Sequence, residues 1–189
     1  MKRCRGGMVL LILSVFLFLY SSAAWSEDLG VTPSGLIDQL KLVLGEEEMT
    51  TVNGDPIVIG DAAETVDKAG AVFFTSEINK DLVLSGTVNA QSGKLQNLSV
   101  EIAIPEGAES VRLENAVWLH GFFSSLIVSL FSINAAEYQS AVDLYKENME
   151  KLIRDEKAEA QLDLEYIKVR YFFSGEGAFA RLKTILDPQ

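Results

Sequence analysis

A chain of 189 residues with 27 Asp plus Glu against 16 Lys plus Arg carries a formal charge of -11. That balance disfavours nucleic acid and anionic lipid headgroups as partners, since both repel an acidic surface. One cysteine, Cys4, and one histidine, His120, leave neither an internal disulfide nor a His/Cys ligand set for zinc, so no metal or other cofactor is expected.

Residues 1–26 read as a secretory signal. Lys2, Arg3 and Arg5 form the charged start, Met8 to Tyr20 the apolar core, and Ser21 to Ser26 a small-residue cleavage region ahead of Glu27. The 13 residues from Met8 to Tyr20 fall short of the roughly 20 that a membrane span needs. Cleavage leaves residues 27–189 as a single exported domain, with 13 Lys plus Arg against 27 Asp plus Glu and a charge of about -14. An exported domain of this size without disulfides points to a bacterial envelope, in the periplasm or outside the cell.

Along the exported part, Thr32-Pro33 is a helix start, with Thr as N-cap and Pro at the first helical position. Leu36, Ile37, Leu40, Val43 and Leu44 follow at helical spacing and Gly45 closes the element. Glu46 to Glu48 read as a solvated acidic face, because the Asp-x-Asp-x-Asp-Gly spacing of a calcium loop is missing. Asn53-Gly54-Asp55-Pro56 is turn chemistry beside a short expected strand, Ile57 to Ile59; no phosphate-loop motif accompanies Gly54 and Gly60. From Ala71 the apolar period becomes two. Three strands, joined by turns at Asn79 to Asp81 and Gln91 to Lys94, make an antiparallel meander that Pro105 and Gly107 end.

Residues 116–136 are apolar on every side, which suits either a core helix or a membrane span. Gly121, Ser125 and Ser129 form a small-residue strip that lets another element approach. His120, Asn134 and several serines lie within the segment or at its ends, and acidic rather than basic groups flank it, so the core helix is the expectation. The second helix, from about Ala135 to Arg154, carries the stripe Tyr138, Val142, Tyr145, Met149 and Leu152 or Ile153. A second hairpin with a glycine-rich turn at Ser174 to Gly177 completes the chain, and a change of parity near Tyr166-Ile167 predicts a bulge or bend there.

This order predicts an α+β fold of two layers, an antiparallel sheet of about five or six strands packed by two long helices, with a short N-terminal helix. No catalytic motif is present: no Gly-x-Ser-x-Gly elbow marks a nucleophile, and His120 reads as a structural residue. The expected role is a non-enzymatic binding or accessory protein of the envelope, whose partner is an unidentified protein or a small apolar ligand. Phe122, Phe123, Phe131, Tyr138 and Tyr145 are the ligand-lining candidates. The alternatives are a secreted hydrolase with a carboxylate or serine site, for which Asp163 and Glu165 share an expected strand face, and a membrane-embedded subunit anchored by 116–136.

Overall fold

A computed structural model describes residues 27–45, 50–51, 54, 56–79, 82–104, 110–153, 158–176 and 179–189. The signal segment with Cys4, the acidic cluster Glu46 to Glu48, and the Pro105 and Gly107 that end the meander lie outside the described residues. Helix α1 (Pro33–Gly45) begins as its sequence predicts. Thr32 Oγ1 accepts the Gly35 N–H at 3.1 Å, and Thr32 O accepts the Leu36 N–H at 2.9 Å. The cap satisfies donors that have no partner inside the helix. Leu36, Ile37, Leu40 and Leu44 are buried on one side.

Seven strands follow in one antiparallel sheet: β1 (Ala63–Val66), β2 (Val72–Ile78), β3 (Leu82–Val88), β4 (Leu98–Ile104), β5 (Ala158–Asp163), β6 (Ile167–Glu176) and β7 (Phe179–Pro188). Their spatial order is β1-β2-β3-β4-β7-β6-β5. Between β4 and β5 run helices α2 (Ser110–Phe131) and α3 (Ala135–Ile153). The terminal strands therefore join the meander, β7 pairing with β4 from Leu98↔Leu186 to Ile104↔Ala180. An α+β fold with helices on one sheet face results, as the alternation of periods predicts.

Alternation decides which side chains are buried. Phe74, Ile78, Leu82, Leu84, Leu98, Val100, Ile102, Val169, Tyr171, Phe173, Leu182 and Leu186 point to the helical side and belong to one core cluster with Leu36, Leu40, Leu119, Phe123 and Ile127. Each fully buried large apolar side chain contributes about 1.5–3 kcal/mol. The opposite face bears ion pairs: Glu101 accepts Arg181 Nε at 3.0 Å and Lys183 Nζ at 3.2 Å, and Arg170 reaches Asp187 at 2.6 Å.

Three local differences from the sequence expectation have physical causes. The segment Ile57 to Ile59 is not a strand; it holds only the single bridge Ile59↔Ile78. Its position is set by Asn79, whose backbone takes a left-handed φ of 51° and whose Oδ1 accepts the Val58 N–H at 2.6 Å. Asn tolerates that conformation, and its side chain substitutes for the missing ladder. Strand β1 escapes the sequence pattern because all four of its side chains are exposed. Of the bulge or bend expected near Tyr166 the structure has a bend, tight enough to reverse the chain: Leu164 N–H donates to Ile167 O at 2.9 Å, so β5 and β6 are separate strands. Together these make seven strands rather than five or six.

The apolar run 116–136 is likewise two elements. Helix α2 stops at Phe131, and Asn134 Oδ1 caps α3 by accepting the Ala136 and Glu137 N–H groups, each at 3.0 Å. Glu137 carries this junction further: its carboxylate accepts Ile133 N–H at 3.0 Å and Glu165 N–H at 2.8 Å, tying the helix turn to the β5–β6 turn. Among the described residues no helix is long and apolar enough to cross a membrane.

Gly86 marks the tightest strand approach, since a Cβ there would collide with the Asn97 carbonyl and touch Leu95. Replacement of Gly86 by Ala is expected to lower unfolding free energy by roughly 2 kcal/mol or more through backbone displacement. Gly45→Ala, where a Cβ meets nothing within 4 Å, is the control. Equal denaturation midpoints for the two variants would refute the close approach.

Candidate functional site

Several buried polar groups, His120, Ser124 and Thr184 among them, are arranged along one rung of the sheet. Leu84, Val100, Thr184, Tyr171 and Ala160 are successive cross-strand partners on β3, β4, β7, β6 and β5. His120 and Ser124, one helical turn apart on α2, both reach this rung. Ser124 Oγ and Thr184 Oγ1 share a hydrogen bond at 2.9 Å. His120 Nε2 lies 3.3 Å from Val100 O and its Nδ1 lies 2.8 Å from the Tyr145 hydroxyl of α3. At the next strand, Tyr171 donates its hydroxyl to Ala141 O at 3.1 Å.

The partners assign the histidine tautomer. A backbone carbonyl only accepts, so Nε2 carries the proton and donates to Val100, leaving Nδ1 to accept from Tyr145 O–H. The ring is 0% exposed, packed between Tyr145 at 5.7 Å and the edge of Phe173 at 5.8 Å between centroids. Burial pulls its pKa from 6.5 to about 3, against a smaller upward pull from the Val100 bond. Burial likewise pushes the Tyr145 and Tyr171 phenols well above their ordinary range. All of these groups satisfy one another, which makes the arrangement a structural polar rung with neutral members.

The five aromatic candidates do not form one lining. Phe123 is fully buried and Tyr145 nearly so, as core members. Phe122 is half-buried, stacked on Trp118 at 5.3 Å with its ring edge to Phe123. Phe131 and Tyr138 are half-buried around the junction of α2 and α3. The helical stripe expected on α3 is also rotated: its buried members are Ala141, Tyr145 and Asn148, with Tyr138, Val142 and Met149 at the margin. Gly121 of the small-residue strip faces Tyr145, whose ring atoms would lie 3.3–3.5 Å from an added Cβ. Ser124, Thr184 and Tyr145 as partners of the rung were missed in the sequence. Thr184 at the parity of Leu182 and Leu186, and Ser124 four residues after His120, are the signals that point to them.

A separate open groove of about 510 Å³ lies between α1 and the segment after it, lined by Lys41, Leu44, Thr50, Pro56, Ile57 and Ile59. Lys41 at its rim is paired with Asp61 at 2.6 Å, which holds the Asp61 carboxyl below its usual range. Asp163 and Glu165 do not share a strand face. Asp163 ends β5, whereas Glu165 sits in the following turn with its N–H on Glu137. Among the described residues no group of three or more His, Cys, Asp or Glu side chains is placed to hold a metal ion.

Stability should follow the proton that His120 refuses. Below pH 6.5 the unfolded chain binds this proton and the folded chain does not, so the contribution is complete above 6.5 and is lost as pH falls toward about 3. The loss is on the order of 4 kcal/mol over that window. In His120→Gln, whose amide supplies a donor and an acceptor without titrating, urea unfolding between pH 6.5 and 3 should show a slope shallower by about one proton. An unchanged slope would place the imidazole in contact with solvent.

Comparison with known protein families, characterised proteins and solved structures gave no significant match for this chain.

Proposed function

We propose that the chain is an exported, non-enzymatic binding or accessory protein of the bacterial envelope, acting in the periplasm or outside the cell. The observation that carries this reading is the commitment of His120. The only imidazole in the sequence is sealed, neutral, and engaged on both nitrogens. General-base activation of a serine or water by histidine needs a nitrogen facing the reacting group, and neither is available. The placement of Glu165 in the turn after Asp163 removes their shared strand face and weakens the carboxylate alternative.

Export is supported by the basic-then-apolar start of the sequence and its small-residue boundary before Glu27. For a small apolar ligand, the groove lined by Leu44, Pro56, Ile57 and Ile59 is a better receptacle than the five aromatics, two of which are already consumed in packing. For a protein partner, the available surface is the open sheet face and its edges.

Fractionation of cells expressing the full chain tests the reading. The expected product is released with the periplasm, and its intact mass corresponds to a start at Glu27. A product that retains residues 1–26 and stays in the cytoplasmic fraction would overturn export.

A further inference from the structure

The sheet has two edges, and they are built differently. At β1 the strand is four residues long, and its pairing slips: the register Ala63↔Thr75 becomes Ile59↔Ile78 across Gly60 to Ala62. Short length and a break in register are the usual devices that blunt an edge. At the other end β5 pairs with β6 without interruption from Ala158↔Phe173 to Asp163↔Lys168, and contains no proline. The Leu164 N–H to Ile167 O bond fixes which residues turn inward. Pairs alternate along an antiparallel ladder, so Ala158, Ala160 and Leu162 exchange bonds with β6, and Glu159, Gln161 and Asp163 direct their N–H and C=O outward.

The same three residues put exposed side chains on the open face of the sheet. A second copy of β5 docking antiparallel about Gln161 would set Glu159 against Asp163 twice, and like charges directly opposite are unfavourable. A cationic strand meets the opposite situation, with a positive side chain over Glu159 and a second over Asp163, where it shares the carboxylate with Gln161 at 3.1 Å and Lys168 at 4.0 Å.

We infer that β5 is a docking edge for an extended segment of a partner protein, added antiparallel, with basic residues four positions apart facing Glu159 and Asp163. The intervening positions one and three carry apolar side chains beside the half-buried Ala160 and Leu162. Main-chain bonds to Glu159, Gln161 and Asp163 hold the segment, and the two acids select it. The inference rests on the reading of the chain as a binding protein and names the chemistry of its partner.

The test uses the purified full chain and a synthetic blocked peptide, Ser-Lys-Val-Thr-Val-Lys-Ser, with amide hydrogen exchange followed residue by residue. Near saturation the Glu159, Gln161 and Asp163 amides should slow by about tenfold or more, with little change at β1. Added salt should weaken the peptide. The double variant Glu159→Lys, Asp163→Lys should abolish the effect and accept a peptide with Glu in place of Lys. Gln161→Pro removes an outward N–H and the exposed side-chain bond to Asp163 but no bond to β6, so it should retain the β6 pairing and the unfolding midpoint while losing the peptide, whereas Gln161→Ala, which lacks the same side chain but keeps the N–H, should still bind it. Unslowed exchange at the three amides, or peptide binding indifferent to the double variant and to Gln161→Pro, would overturn the docking edge while leaving the binding reading in place. Self-association of the chain through these same amides would overturn the charge selection. Hydrolytic turnover by the pure chain would overturn the binding reading itself.

Discussion

The contact between His120 and the central rung of the sheet is the interaction on which the arrangement of the layers depends. Apolar packing alone is non-directional and tolerates sliding of a helix over a sheet. Hydrogen bonds from α2 to Val100 and Thr184, from α3 to the His120 ring, and from Tyr171 back to α3 each require one position. A helix displaced by one turn would leave buried donors and acceptors without partners, at about 1–3 kcal/mol for each group. The apolar surface supplies the driving force for association, and this polar rung supplies its registry.

The rung also decides the chemistry of the interior. A histidine is an acid–base group in water, but the same ring under complete burial stays neutral throughout the physiological range. Its two hydrogen bonds run to a carbonyl and a phenol, neither of which is charged at neutral pH. This part of the interior therefore holds aromatic and hydroxyl groups joined by hydrogen bonds, with an uncharged imidazole among them. Among the described residues the Asp, Glu, Lys and Arg side chains stay at the surface.

That surface is divided. Helices cover one face of the sheet, while the other displays Glu101, Arg170, Arg181, Lys183 and Asp187 in ion pairs that keep it wet. Exposed pairs of this kind add little stability, about 0–1 kcal/mol each. They leave the acids of β5 at the rim of a mixed-charge face. The contrast between the broken edge at β1 and the continuous edge at β5 follows from the chain path: one is a short excursion after α1, and the other is the start of a long hairpin returning under α3.

Period and punctuation determined much of this protein from the sequence alone. Thr32-Pro33 predicts the first cap, the alternation from Leu98 to Ile102 predicts β4, and the combination of a meander, two helices and a terminal hairpin predicts the α+β arrangement, because these signals act within a few residues. Short-range patterns were silent where an element buries nothing, as at β1, and ambiguous where a turn and a bulge shift parity equally, as at Tyr166. The contacts of His120 lay further from reach than its structural role. Its partners are Tyr145, 25 residues away on another helix, and a carbonyl of β4. Only the tertiary structure brings these together, because neither side-chain identity nor spacing specifies which strand a helix will cross, and the same packing decides which aromatic residues fill the core and which remain at its margin.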